Sequence, residues 1–268
     1  PVAECMMNRS AFFLTGGTET PASLCQKLTD AGMGEAHGVV GENLGTEAEA
    51  IRYGSAAELA GQSFAPLSVL LVENFDLPQL RAPGFPDESF IRSEVPMTKQ
   101  EVRAAALAKL AVMPTDTLWD VGAGTGSVSV ELALAAPKGR VYAVECEPDA
   151  CELIRKNRAK FHACNLILIE GRAPDVLADL PAPDAVFIGG TKGGMEAVLD
   201  EVLGKNPNAR ICISAIALET LGAAIAALTA RGLTAEVTQI AVSRTKPAGR
   251  LHLLMANNPI FLITGTRK

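Results

Sequence analysis

No 18-residue window of this chain is apolar without also being Ala-heavy and broken by charge, which excludes a membrane-spanning helix. The opening residues, PVAECMMNRS, lack the basic start and apolar run of a secretory leader. The first residue is proline, not methionine, so the chain reads as part of something longer. Its cysteines (Cys5, Cys25, Cys146, Cys151, Cys164, Cys212) include no C-x-x-C pair, which removes the usual pattern for a disulfide framework or a zinc site. No metal is expected, and a reducing cytoplasm fits this usage. A net charge of −6 argues against wholesale binding of nucleic acid or an anionic membrane. One local lack runs the other way. No acidic residue follows Glu236, while Arg244, Lys246, Arg250, Arg267 and Lys268 all do. Arg244 to Arg250 reads as a compact basic loop, either simply solvated or a site for a polyanion.

Also missing is the third glycine of a dinucleotide fingerprint. In LWDVGAGTGSVSVELAL (Leu118 to Leu134), the spacing G-x-G-x-x-G would need glycine where Ser127 stands. What is present is D-x-G-x-G-x-G, running from Asp120 through Gly122, Ala123, Gly124, Thr125 and Gly126. An apolar run, a glycine turn and a helical pattern present backbone N–H groups to a nucleotide-bearing ligand. This spacing is the form usual for binding S-adenosylmethionine. The glycines let the backbone pass close to the methionine part, and Asp120 can accept from its ammonium.

Leu77 to Pro86 holds three prolines and a glycine without periodicity and reads as a linker. Beyond it, strands are expected at 117–121, 140–144, 166–170, 185–188 and 210–214, alternating with helices near 126–135, 148–160, 174–180, 194–203 and 218–231. A further helix should start at Thr98, where Thr98-x-x-Glu101 spells a capping box, and run to about Val112. Such an array predicts a doubly wound α/β sheet. Three closing strands near 233–242, 250–257 and 259–265 have no helix between them, so at least one pair should be antiparallel. Residues 1–76 differ: a strand at Phe12 to Leu14 meets a glycine turn, a helix capped by Thr20 has Pro21 first, and Gly41 and Gly45 follow. A strand near Ile51, a capping box at Ser55-x-x-Glu58 and a strand at Ser68 to Val72 complete a small α/β unit.

In a parallel sheet ligands sit at the carboxyl ends of the strands. Glu145 ends the second strand, about where a carboxylate would accept from ribose hydroxyls. Gly171 and Ala173 follow the third, and the Ala173 N–H can donate to an adenine ring nitrogen. FIGGTKGG (Phe187 to Gly194) follows the fourth, and brings Gly189 and Lys192 close to the expected site of methyl transfer.

Six motifs then occur in order: PDESFIRSEVPMTKQEVRAAAL, WDVGAGTGSVSVELA, EGRAPDVL, VFIGGTKGG, SAIALET and NPIFLITG. Together they resemble the C15-methylating, decarboxylating precorrin-6 methyltransferases of cobalamin biosynthesis. FFLTGGTETPASLCQKL, GENLG and GSAAELAGQSFAPLSVLLVEN resemble the carboxyl-terminal half of the C5-methylating tetrapyrrole methylases, which occur fused to the former in C5,15-methyltransferases. The resemblance implies a half-domain over 1–76, a linker over 77–86 and a seven-stranded, Rossmann-like methyltransferase domain with an antiparallel final strand over 87–268. With half of the first domain missing, no C5 methylation is expected.

The resemblance further implies that Thr98 joins the glycine turn, Glu145 and Ala173 around S-adenosylmethionine. Many relatives carry aspartate where Arg172 stands, which puts the usual contact to the adenine amino group in question. The implied substrate is a tetrapyrrole rich in carboxylates, methylated at C15 and decarboxylated at the ring-C acetate. Its anchors would be Arg244, Lys246 and Arg250, with Lys99, Arg103 and Lys192 as second choices. Glu219 could manage a proton or simply place charge in a first helical turn. His252 is a second proton-donor candidate, or a structural histidine. A homo-oligomer is expected, with a tetramer as one candidate. The competing reading is a methyltransferase of the same fold acting on tRNA or protein.

Overall fold

A computed structural model describes residues 1–74 and 83–267; residues 77–82 of the expected linker, and Lys268, lie outside the described residues. The chain forms two compact units, one made of the amino-terminal segment with Arg158–Asn165 and the other of the remainder.

The first unit contains α1 (Val2–Met7), β1 (Ser10–Leu14), α2 (Pro21–Asp30), β2 (His37–Glu42), β3 (Ala50–Ser55), α3 (Ala56–Ala60) and β4 (Ser68–Glu73). Its sheet is antiparallel throughout, in the order β1-β4-β2-β3. Both expected caps form. The Thr20 hydroxyl accepts from the Ser23 N–H at 3.1 Å, and Ser55 and Glu58 make the reciprocal pair. Gly41 lies within β2. The same strand holds Gly38, where an added Cβ would stand 2.4 Å from Leu59 Cδ1, so glycine lets α3 lie close against the sheet. Leu24, Leu28, Val40, Leu59 and Leu70 form the core on that face, whereas Phe12, Leu14 and Tyr53 are open to solvent.

The second unit begins with a short 3-10 turn (Asp87–Ser89) and α4 (Gln100–Leu110). There follow β5 (Thr117–Val121), α5 (Ser127–Ala135), β6 (Arg140–Glu145), α6 (Pro148–Lys160), β7 (Leu166–Glu170) and β8 (Ala185–Ile188). Next come α7 (Met195–Lys205), β9 (Arg210–Ala215), α8 (Leu218–Ala230), β10 (Thr234–Ile240), β11 (Ser243–Ala248), β12 (Leu251–Ala256) and β13 (Ile260–Thr266). Seven strands form one sheet in the order β10-β13-β9-β8-β5-β6-β7. The run β9-β8-β5-β6-β7 is parallel, and β13 inserts antiparallel between β9 and β10. This is a doubly wound, Rossmann-like sheet with an antiparallel final strand. Strand order reverses between β5 and β8, which opens a crevice at their carboxyl ends. Trp119, Val186, Ile188, Leu199, Ile213 and Ile263 are among the buried residues that pack the sheet.

Three expectations need correction. Residues 174–180 form successive turns, not a helix: Leu177 N–H bonds to Pro174 O and Leu180 N–H to Leu177 O. Pro174, Pro181 and Pro183 leave too short a run to offset helix nucleation. The helix expected from Thr98 starts at Gln100, and Thr98 does not cap it. Asp87 supplies the acceptor instead, its Oδ1 lying 2.9 Å from the Gln100 nitrogen. The strand expected at 250–257 does not join the large sheet. It is β12, paired only with β11 in a hairpin that also takes in the supposed basic loop. Among the described residues, no helix is long and apolar enough to cross a membrane.

Candidate active site

A cleft of about 730 Å³ opens where the parallel strands end. Its floor is the turn after β5, where Gly122, Gly124 and Gly126 adopt φ of +73°, +56° and +74°. At Gly122 a Cβ would stand 2.4 Å from the Gly190 carbonyl, so the turn and the loop after β8 can meet only without a side chain. Gly126 serves packing, since a Cβ there would stand 2.9 Å from Ile154 Cγ1 of α6. Glu145, nearly buried at the end of β6, ties the turn in place. Its Oε2 accepts from the Gly124 N–H at 2.8 Å, and its Oε1 accepts from the N–H groups of Cys146 (2.7 Å) and Glu147 (3.0 Å). A carboxylate has roughly four lone-pair positions, so about one remains for a ligand hydroxyl rather than the two imagined for a ribose.

Thr98, Gly122, Ala123, Gly124, Thr125, Glu145, Gly171, Ala173 and Gly189 all line this cleft. Asp120 and Gly126 do not. Asp120 lies buried, its Oδ2 accepting from the Ser129 hydroxyl, while its Oδ1 has no partner among the described residues. Burial, reinforced by the nearby Glu145 charge, pushes its pKa up to about 7 against the lowering effect of Ser129. The Thr125 hydroxyl, also buried, has no hydrogen-bond partner among the described residues. Glu147 sits at the cleft mouth, where an ion pair with Lys192 holds its carboxyl below the usual range. Lys192 itself has φ +48°, and its carbonyl accepts from Arg172 at 3.2 Å. The cleft rim is thus joined across three loops.

Residues 89–267 match the family described as the precorrin methyltransferase domain. The chain belongs to this family. It is 46% identical over 187 residues to a probable cobalt-precorrin-6B C(15)-methyltransferase (decarboxylating) from Pyrobaculum calidifontis, covering 68% of this chain and 95% of that one. The crystal structure of a precorrin-6y C5,15-methyltransferase from Geobacter metallireducens superposes with a TM-score of 0.68 at 38% identity, over 72% of this chain and 100% of that one. The C-terminal domain of the precorrin-6Y C5,15-methyltransferase from Rhodobacter capsulatus gives 0.62 at 36% identity, over 70% and 100%.

Within this precorrin methyltransferase, the expected anchors for a carboxylate-rich ligand are scattered. Arg103 is fully buried and engaged by Asp87, Glu131, the Thr98 and Phe85 carbonyls and the Phe90 ring, so it cannot meet a ligand. Arg244 is drawn to Glu101 at 2.6 Å and to Asp87 at 3.1 Å, which accounts for both arms of its guanidinium. Burial alone raises the Asp87 carboxyl, but Arg103 and Arg244 beside it hold it below the carboxylate range. Lys246 and Arg250 sit on the exposed hairpin, away from the cleft lining. Lys192 does line the cleft, and Lys99 lines a smaller adjoining chamber. Neither proton candidate reaches the cleft wall: Glu219 occupies the exposed first turn of α8, and His252 lies opposite Pro247 in the hairpin.

Several site residues escaped the sequence reading. Asn157 holds two segments of the site together, accepting from the Ile91 N–H and donating to the Ile91 and Thr125 carbonyls. Asp87 and Glu131 lie in motifs already noted, but only their ion pairs with Arg103 reveal a role. Glu147 was a neighbour of Glu145 without a signal of its own.

Proposed function

We propose that this chain transfers a methyl group from S-adenosylmethionine to C15 of a precorrin-6B-type tetrapyrrole and removes carbon dioxide from its ring-C acetate. The observation that carries this reading is the family match over residues 89–267, which spans the whole glycine-turn cleft. The residues present fit the cofactor. The buried Thr125 hydroxyl and the Ala173 N–H at the cleft have no hydrogen-bond partner among the described residues, and Glu145 keeps acceptor capacity.

When bound, the cofactor supplies an electrophilic methyl group on sulfur. Glu145 would hold its ribose, Ala173 and Gly171 its adenine, and the Gly122–Thr125 turn its amino-acid end. Asp120, bonded to Ser129, lies buried outside the cleft lining. The loop from Gly189 to Gly194, tied over the mouth through Lys192, excludes water and presents little side-chain bulk to a flat substrate. Positioning and desolvation therefore supply most of the acceleration.

The first unit reads as the carboxyl-terminal half of a tetrapyrrole-methylase-like domain, a reading supported by the open apolar face at Phe12, Leu14 and Tyr53. Leu251, Leu253, Leu254 and Met255, exposed on the hairpin, support self-association. The deciding experiment incubates the chain with methyl-labelled S-adenosylmethionine and precorrin-6B, following label in the tetrapyrrole and loss of carbon dioxide. Label appearing on tRNA or protein, with none on the tetrapyrrole, overturns this reading.

A further inference from the structure

Beside the main cleft lies a second chamber of about 260 Å³, and three of the motifs converge on it. PMTK brings Thr98 and Lys99, SAIALET brings Ser214 from the end of β9, and NPIFLITG brings Asn258 from the start of β13. These segments are far apart in sequence. β9 and β13 bring the last two together by pairing Ser214 with Leu262, and the Asn257 N–H bonds to the Val242 carbonyl at 2.9 Å to close the hairpin base beside them. The first segment is pinned separately: buried Arg103 donates to the Thr98 carbonyl, and Asp87 holds the Gln100 N–H. The side chains of Thr98, Lys99, Ser214 and Asn258 make no hydrogen bond or ion pair among the described residues, although Thr98 and Ser214 are half-buried. Val102, Ile240 and Ile260 supply apolar wall. Thr98, Ser214 and Ile260 also line the main cleft, so one substrate can enter both spaces.

We infer that this chamber receives the acetate side chain that loses carbon dioxide, separate from the cleft where the methyl group is transferred. The inference rests on the function proposed above. Lys99, exposed at the chamber's edge, draws the carboxylate in. The neutral donors of Thr98, Ser214 and Asn258 then orient it against apolar wall. Neutral donors suit the step better than a tight ion pair, because the carboxylate must surrender its charge. The bond between the methylene carbon and the carboxylate carbon breaks, and carbon dioxide leaves. The electron pair passes into the conjugated macrocycle, and a proton from solvent returns to the methylene carbon, leaving a methyl group. No oxidant or further reactant is needed. A partly dehydrated chamber favours this step, since charge spreads as the bond breaks.

Two variants test the assignment: Ser214→Ala, which deletes a hydroxyl without an internal partner, and Asn258→Asp, which sets a like charge against the carboxylate. Both are incubated with precorrin-6B and methyl-labelled S-adenosylmethionine, and carbon dioxide released per methyl group transferred is measured. The expected result is a fall in that ratio of about tenfold or more for Asn258→Asp and a smaller fall for Ser214→Ala. A methylated product that retains the carboxylate should accumulate. A ratio equal to the parent's, whether both rates drop together or neither changes, overturns the inference. A parent chain that neither methylates nor decarboxylates the tetrapyrrole overturns the underlying function, a different and recognisable failure.

Discussion

Arg103 and Glu131 meet with both side chains fully buried, Nε lying 2.6 Å from Oε1. Asp87 completes the cluster at 2.9 Å, and Glu131 also accepts from the N–H groups of Gly84 and Phe85. Every member is satisfied, so the cluster fixes how the segment before α4 enters the site. Removing one member would leave a buried charge without its partner. Arg103→Met should therefore destabilise the fold by about 3–5 kcal/mol, seen as a lower urea midpoint at unchanged slope. Arg103→Lys should recover little, because an ammonium cannot span acceptors arranged for a planar fork.

Glu145 is the carboxylate that touches both the glycine turn and the cleft. Glu145→Ala should weaken S-adenosylmethionine binding by about 1–3 kcal/mol in calorimetry, through lost charge-assisted contact and a loosened turn. Affinity equal to the parent's would remove Glu145 from the cofactor site.

Two glycines of the same loop contact separate backbone constraint from simple closeness. Gly122 has φ +73° and no room for a Cβ, whereas Gly190 has nothing within 4 Å of where its Cβ would stand. Gly122→Ala should cost about 1–2 kcal/mol from the left-handed backbone alone, and more from the clash. Gly190→Ala should leave the melting temperature close to the parent's.

Asp120 gives a pH signature opposite to that of Asp87 and Glu101. Its folded pKa is raised to about 7 from 3.8, so the folded state holds a proton that the unfolded chain has released across that interval. Its contribution to stability is fully present below the unfolded value and is lost as pH rises through about 7. Asp87 and Glu101, held low by Arg103 and Arg244, act in the other direction, losing stability as pH falls. Asp120→Asn should thus gain stability relative to the parent as pH rises from 4 to 8, read from paired urea titrations at each pH. A stability difference independent of pH would contradict a raised Asp120.

The parallel strands and most helices were legible because each rests on local periodicity. Thr20 and Ser55 cap their helices as read, since a capping box closes within four residues. Thr98 carried the same local pattern and failed: the acceptor for the Gln100 N–H is Asp87, 13 residues before Gln100. Arg103 looked like a free cation for the same reason: its acid partners lie 16 and 28 residues away. The cleft was legible through strand ends, which topology forces together. The second chamber was not, because Thr98, Ser214 and Asn258 meet only through sheet register and the pinned segment before α4.

Arg244 separates anchoring from substrate binding. It was expected to grip a polyanion, but its guanidinium reaches Glu101 and Asp87 and so fastens the base of β11 to the start of α4. Asp87 keeps Arg103 and the Gln100 N–H when Arg244 is removed, so the buried cluster should survive. Because the Glu101 pair is partly exposed, Arg244→Ala should change global stability by only about 1 kcal/mol or less. The hairpin, whose β12 residues are all exposed, should respond more strongly. Protease cleavage near Gly249 should quicken in Arg244→Ala and remain at the parental rate in Arg250→Ala, a residue at the tip without an ion pair among the described residues. High salt should move the parent toward the variant, since screening weakens a half-exposed pair. Equal cleavage of Arg244→Ala and parent at low salt would show that the hairpin is held by other contacts.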